Sequence, residues 1–425
     1  MVISLEAAHA AAAEQREVML TRPNDEELHE FLTRGVAEII TRDELAAALR
    51  RADRPLRIKQ GFDPTRPNLH IGHAIGLRKL RTLARWGHEI VIIIGDYTTQ
   101  IGDPTDKSES RPMISHEQVL ENARTYLEQF HRIVPRENTR VVYQAEWYGA
   151  FGLKDVFRLA SRFTVQQMLA REEFRKRQAA GTAIPIKDLL YPLLQAYDSV
   201  AIEAEVEFGG TDQKFNILAG RELQEEVGQR PQQVFLVQML EGTDGLVMSK
   251  TKPQTAVWLL DPPDEAFGKV MSIPDAVMAH YFEWATEMPL PEVRRIVDAL
   301  ARGELHPREA KEVLARRIVT ELHSAAAADE AATEFVRRFR ERQMPDVSEI
   351  PVVTVSKDGE HAVPIVDLLV RAKLQPSRGS ARRLVQQKAV RVDDVLADES
   401  TIVTTAAEHI VRYGPRSYAR VRWSV

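Results

Sequence analysis

The residues of this 425-residue chain best suited to chemistry fall in short runs. Gly61-Phe62-Asp63-Pro64-Thr65 precedes His70-Ile71-Gly72-His73, which lies at the mouth of a predicted helix. A helix N-terminus presents free backbone N–H groups and the positive end of a dipole, which suits phosphate. Gly72 lets a ligand approach the backbone. His70 and His73, three apart, point the same way along the first turn. Their imidazoles can donate to phosphate oxygens whose charge grows in a transition state. With no third ligand nearby the pair does not make a metal site, and no metal site is expected elsewhere. A second run, Val247-Met248-Ser249-Lys250-Thr251, is flanked by Gly242, Gly245 and Pro253 and can clamp a pyrophosphate leaving group. In a third, Tyr191, Gln195 and Asp198 share one helical face beside Leu189, Leu190 and Leu194, as in a small pocket with a few oriented hydrogen bonds. Phe208-Gly209-Gly210-Thr211-Asp212-Gln213 lets backbone and carboxylate close on a ribose diol. In the run 101–111, Asp103 can pair with an ammonium, and Lys107 and Arg111 can reach phosphate. Taken singly, each run also reads as an ordinary turn, charged loop or solvated helix face.

The elements that must position these groups follow from hydrophobic period. A strand over 56–60 ends at the Gly-Phe-Asp-Pro turn, and a helix covers about 71–86. The β-branched run 90–94 suits a parallel strand buried on both faces. Strands are also predicted over 139–144 and 234–240, and helices over 23–51 (Leu28, Phe31, Leu32, Val36, Ile39, Ile40) and 156–177. This alternation is that of a doubly wound α/β sheet. After Pro262-Pro263 the spacing predicts helices over 264–271, 274–287, 290–302 and 307–340, without strands. Residues 345–360, rich in Pro, Ser, Asp and Gly, read as a linker. The expected organisation is a helical lead (1–53), a parallel-sheet nucleotide-binding, Rossmann-like catalytic domain (54–263), an α-helical domain (264–344), a linker (345–362) and a small α+β domain (363–425).

Composition bounds the function. The hydrophobic and charged fractions, 44% and 28%, are those of an ordinary soluble protein. No cysteine means no disulfide framework and no thiolate metal site, which fits a reducing cytoplasm. No stretch approaches the roughly 18 apolar residues of a membrane helix. The first residues carry Glu6, Glu14 and Glu17 and do not read as a signal peptide. The net charge of −5 is uneven: from Pro364 onward eleven Lys and Arg face six Asp and Glu, a balance of +5, against −10 for the rest. A small basic module behind an acidic body suggests a polyanion docked at one place. Arg378, Arg382, Arg383 and Lys388 can line one side of a short helix facing phosphates.

In this order the runs Gly-Phe-Asp-Pro-Thr, His-Ile-Gly-His, Ile-Gly-Asp-Pro, Tyr-Pro-Leu-Leu-Gln-Ala-Tyr-Asp, Gly-Gly-Thr-Asp-Gln and Met-Ser-Lys resemble the signature series of class I aminoacyl-tRNA synthetases, specifically the bacterial tyrosyl-tRNA synthetases. The resemblance covers about 25–425 and includes the basic tail, which looks like a small RNA-binding module shared with a ribosomal protein. It implies activation of L-tyrosine by ATP, with Mg2+ accompanying the nucleotide and no tightly bound cofactor, then transfer to tRNA(Tyr) by a cytoplasmic homodimer. It implies roles as well. Asp198 would accept the phenol hydroxyl of tyrosine. Tyr191, Gln195 and Asp103 would hold the α-ammonium, and Asp63 and Gln213 would lie by the attacking carboxylate. Gly61, Gly210 and Asp212 would hold the ribose, with Gly72 and His73 close to the nucleotide. Thr65 and His70 would stabilise the leaving phosphates, helped by Lys107, Arg111, Lys250 and Thr251.

Two departures stand out. Val247 occupies the place where the family's loop usually begins with lysine, which puts one pyrophosphate contact in doubt, with Lys252 as a substitute. Lys59 and Gln60 fill the stretch where some relatives carry a tyrosine that helps hold the phenol, so recognition leans more on Asp198. The competing readings are a tryptophan-specific relative, a non-catalytic RNA-binding paralogue, which Val247 favours, and a small-molecule adenylating enzyme, which the basic tail disfavours.

Overall fold

The computed structural model describes residues 20–105, 114–250, 252–339, 350–414 and 417–424. These belong to two compact units, Met1–Ala332 and Thr333–Val425. The first unit is built on a six-stranded sheet of β1 (Val36–Ile40), β2 (Arg57–Phe62), β3 (Glu89–Ile94), β4 (Thr139–Tyr143), β5 (Val206–Gly210) and β6 (Gln233–Val237). The spatial order is β1-β6-β5-β2-β3-β4. All neighbours run parallel except β1, which lies antiparallel on the edge beside β6. Chain order reverses between β2 and β5, so a crevice opens there at the carboxyl ends of the strands, the usual ligand position in such sheets. The expected doubly wound parallel sheet is therefore present, with an added antiparallel edge.

Its centre is apolar because both faces are covered by helices. Ile90 through Ile94 are all buried, as a parallel strand between helical layers requires. The helix Ile71–Arg85 turns Ala74, Ile75, Leu77, Leu80 and Leu83 inward. The helix Ile186–Ala201 packs Leu193 and Ala196 against Ala219 and Leu223 of the helix Lys214–Glu226, which leaves its polar face toward the crevice.

Several expectations need correction. The predicted helix 23–51 is a helix (Asp25–Thr33), then β1, then a second helix (Arg42–Arg51). Gly35 adopts φ +62° and ends the helical path, and the β-branched Val36, Ile39 and Ile40 pair with β6 instead. The residues expected to form a separate helical lead thus complete the sheet. The predicted helix 156–177 is three short ones, Leu153–Ala160, Val165–Leu169 and Glu172–Ala179. Thr164 caps the middle one by accepting from the Gln167 amide, which restarts the helix there. The predicted helix 307–340 breaks at His323, so that Pro307–Leu322 and Ala325–Phe339 are separate.

The helices that follow Pro262 up to residue 322 are tied to the sheet domain within the first unit. Arg34 donates to the carbonyls of Glu283, Thr286 and Met288, and Arg78 donates to Ala285 and Glu321. In the second unit the expected linker contains a strand, Val352–Ser356, which runs parallel to Tyr418–Ser424 in a five-stranded sheet. Its alternating Val353 and Val355 join the core of Ile365, Leu368, Leu369, Val385 and Val421. That burial outweighs the turn-like composition around it.

Candidate active site

The crevice at the strand-order reversal encloses about 520 Å³. Gly61, Asp63 and Thr65 reach it from the carboxyl end of β2, and His70, Gly72 and His73 from the start of the helix Ile71–Arg85. Asp103 enters from the loop after β3. Tyr191, Gln195 and Asp198 come from one face of the helix Ile186–Ala201, and Gly210, Asp212 and Gln213 from the turn after β5. Lys250 closes one side together with Val247, Met248 and Ser249. Runs far apart in sequence thus converge on one cavity. Lys107, Arg111 and Thr251 lie outside the described residues. Lys252 does not line the crevice; its Nζ turns toward Asp244, 3.4 Å away.

Asp198 is buried, 3% exposed. Its Oδ2 accepts from Gln144 Nε2 at 2.7 Å and its Oδ1 from Trp147 Nε1 at 3.1 Å; the Tyr148 hydroxyl, 3.3 Å from Oδ1, shares its proton with the nearer Leu194 carbonyl at 2.6 Å. A buried carboxylate needs such donors, because water no longer solvates it. Burial still pushes its carboxyl up to about 7, with Glu207 adding and with Lys59, Gln144 and Trp147 opposing. The three donors follow directly on β4. Sequence reasoning missed them, although polar residues just past a parallel strand's carboxyl end stand where such sheets bind ligands.

Asp63 lies above this floor. It accepts from Tyr191 Oη at 2.8 Å and Thr98 Oγ1 at 2.7 Å. Burial, with a contribution from Asp103, raises its carboxyl to about 6. Asp103 accepts from Gln213 Nε2 at 2.8 Å and from the Thr105 amide at 2.9 Å. Beneath them Lys59 and Glu207, at 0% and 1% exposure, form an ion pair of 3.0 Å across β2 and β5. Lys59 does not line the crevice; it stands behind Glu207, which does.

At the start of the helix Ile71–Arg85 the His70 and His73 rings lie 3.8 Å apart, centroid to centroid. The His70 backbone N–H is 3.2 Å from His73 Nδ1. The same Nδ1 lies 3.3 Å from the His70 carbonyl oxygen, so the backbone of His70 holds the ring whichever nitrogen carries its proton. Burial first, then the Lys250 charge, lowers His70 to about 3; burial, His70 and Lys250 lower His73 well below the ordinary histidine value. Both rings are therefore neutral near pH 7 and can donate without a full charge of their own. At Gly72 a Cβ would stand 3.0 Å from His70 Nδ1, so glycine makes room for that ring. Lys250 Nζ bonds the Tyr126 hydroxyl and lies 4.5 Å over its ring centroid. Tyr126 is a further residue of the site that its sequence context did not reveal.

The tail groups sit in the second unit. Arg378, Arg382 and Arg383 lie on the helix Arg378–Gln386, and Ser377 caps it. Lys388 falls beyond that helix, at φ +57°, so it cannot share the helical face expected for it. Arg378 pairs with Asp367 at 2.9 Å and Arg382 with Glu399 at 3.1 Å, both at the surface.

Residues 51–340 match the family described as tRNA synthetases class I (W and Y), and residues 344–419 match a tyrosine–tRNA ligase C-terminal domain. A tyrosine–tRNA ligase of Dehalococcoides mccartyi is 45% identical over 394 residues, which cover 92% of this chain and 98% of that protein. One of Geobacter sulfurreducens is 42% identical over 93% of this chain and 98% of its own. Among solved structures, the tyrosyl-tRNA synthetase of Archaeoglobus fulgidus, complexed with L-tyrosine, aligns with a TM-score of 0.58 at 20% identity, covering 72% of this chain and 99% of that one. A tryptophanyl-tRNA synthetase of Aeropyrum pernix aligns with 0.54 at 19%, covering 69% and 84%. At those identities the structures establish the fold, which tyrosine and tryptophan enzymes share. The sequence relatives reach further: this chain belongs to the tyrosyl branch of the class I aminoacyl-tRNA synthetase family.

Proposed function

We infer that this chain is a tyrosine–tRNA ligase. The observation that carries the reading is Asp198, a carboxylate at the floor of a nucleotide-sized crevice, surrounded by donors and able to accept one more at Oδ2. A phenol hydroxyl supplies that donor, and phenylalanine or a smaller apolar amino acid does not. The α-ammonium would meet Asp103, Tyr191 and Gln195, which places the amino acid's carboxylate beside Asp63 and Gln213. That carboxylate attacks the α-phosphate of ATP. A bond forms from carboxylate oxygen to phosphorus, the bond to the bridging oxygen breaks, and pyrophosphate leaves. The step needs no protein nucleophile; position and fixed donors supply the acceleration.

Gly61, Gly210 and Asp212 would hold the ribose, and Gly72 and His73 would lie beside it. Thr65, His70 and Lys250 would face the departing phosphates, joined by Lys107, Arg111 and Thr251. Magnesium, bound through ATP, supplies charge neutralisation on the phosphates. Asp63 and Asp103 are already engaged by Tyr191, Thr98, Gln213 and Thr105, so phosphate oxygens and water would form most of its shell. The terminal ribose of tRNA(Tyr) then attacks the activated carbonyl and releases AMP.

The second unit, with Arg378, Arg382, Arg383 and Lys388, would grip RNA phosphates, and the helices of 264–344 would approach the anticodon stem. A homodimer fits the apolar side chains exposed within 153–186: Leu153, Phe157, Val165 and Ile186 are 58–77% exposed. No helix among the described residues is long and apolar enough to cross a membrane, and we place the enzyme in the cytoplasm.

Pyrophosphate exchange across the amino acids tests the central reading: L-tyrosine alone should drive it, whereas exchange driven by tryptophan, or by no amino acid, contradicts it. The pH profile adds a sign. Phenol donates much more strongly to ionised Asp198 than to the protonated acid, and burial raises that group to about 7. The KM for tyrosine should therefore be flat above that pH and climb toward tenfold per unit below it. A flat profile between pH 5.5 and 8, roughly one and a half pH units below that midpoint to one above, would contradict the pocket assignment. Removing 345–425, so that both partners of the Val352–Ser356 pairing go together, should spare exchange and lower tRNA charging at least about tenfold, the weight of a few phosphate contacts. Equal loss of both steps contradicts a docking role.

A further inference from the structure

An amide can meet an ammonium only with its oxygen. Gln195 therefore has to face the amino acid with Oε1, and its two orientations are nearly identical in shape. Something in the protein must choose between them. Gln195 Nε2 lies 3.2 Å from Glu207 Oε1. Gln195 Oε1 is buried and has no hydrogen-bond partner among the described residues, and the residue lines the crevice. Glu207 as a carboxylate only accepts, so it demands the NH2 group. The flipped amide would set two acceptor oxygens against each other.

Glu207 is itself held in place. Lys59, opposite it across the β2–β5 pair, stands 3.0 Å from Glu207 Oε1 as an ion pair and donates to Ser199 Oγ at 2.7 Å and to the Gln195 carbonyl at 2.9 Å. Ser199 Oγ in turn donates to Glu207 Oε2 at 3.0 Å, and Gln232 Nε2 donates to the same oxygen at 2.5 Å. Glu207 Oε2 thus accepts two bonds, and Oε1 accepts the Gln195 amide beside the Lys59 charge. A buried network satisfied to this degree fixes a single arrangement.

We propose that Glu207, clamped by Lys59, is a positioning residue that sets amino-acid specificity: it locks the Gln195 amide with its oxygen toward the crevice, so that the pocket demands a cationic α-amino group. The proposal rests on the reading of the crevice as a tyrosine site. Lys59 and Glu207 need not touch the substrate; they act through Gln195.

The test uses the full-length protein with Glu207→Gln, and with Lys59→Met and Glu207→Gln combined. The pair is removed together because a lone buried charge is costly, whereas a neutral replacement is often tolerated. Either variant frees Gln195 to turn. Pyrophosphate exchange then gives the KM for tyrosine, the KM for ATP and the inhibition constant of 3-(4-hydroxyphenyl)propionate, which lacks only the amino group. The preference for tyrosine over that analogue should fall about tenfold or more, the weight of one buried hydrogen bond to a charge. The KM for ATP should stay where it was. An unchanged preference, or equal weakening of both ligands, overturns the proposal. Failure of the underlying tyrosine reading shows separately, as absence of tyrosine-driven exchange in the unaltered protein.

Discussion

A carboxylate survives out of water only where donors replace the water. That constraint organises the floor of this protein. Asp198 needs Gln144, Trp147 and Tyr148, and those three need β4 to end where it does, so that the chain turns across the crevice. They also need the helix Ile186–Ala201 to present its polar face there, which it does because Leu193 and Ala196 are anchored on the other side. One ionisable group thereby links a strand end, a helix face and the order of the sheet. The Lys59–Glu207 pair extends the same logic one layer down. Both charges are buried, and each is held by oriented partners.

The division of labour within the crevice follows from position in the sheet. The β2–β5 gap is the one place where neighbouring parallel strands diverge in chain order, so their carboxyl ends leave a space that no crossover fills. The groups proposed to face the nucleotide come from its rim: the helix that starts at Ile71, the glycine turn after β5 and the loop at 247–250. Those proposed to hold the amino acid come from deeper, where the dielectric is lower and a missing hydroxyl would cost most. Neutral histidines suit the rim. On the proposed reading they would donate to phosphate as charge develops, and burial keeps them from binding a proton at neutral pH.

Much of this was legible in sequence, for stated reasons. Tyr191, Gln195 and Asp198 could be placed on one face because helical period is strict, and the β-branched run 90–94 could only be a buried strand. The partners of Asp198 were not legible, because they stand about fifty residues earlier and meet it only through the fold. Glu207 and Lys59 were hidden for the same reason: neither short run marks a buried ion pair until the register sets one opposite the other. Val36–Ile40 misled because a short apolar run satisfies helix and strand periods alike; Gly35 and the waiting edge of β6 decided it. Val352–Ser356 misled because composition outside a strand says little about its alternating core.

The central claim is that Asp198 selects its substrate by the penalty of leaving a buried acceptor unpaired. Tyrosyl-tRNA synthetases are themselves the reference case for that effect, rejecting phenylalanine ~10⁵-fold without editing. The direct measurement is kcat/KM for tyrosine against phenylalanine in pyrophosphate exchange, for the natural protein and for Asp198→Ala. The account expects strong discrimination in the first and its collapse to about tenfold or less in the second, the size of an apolar difference alone. A variant that still rejects phenylalanine as the natural protein does would contradict it.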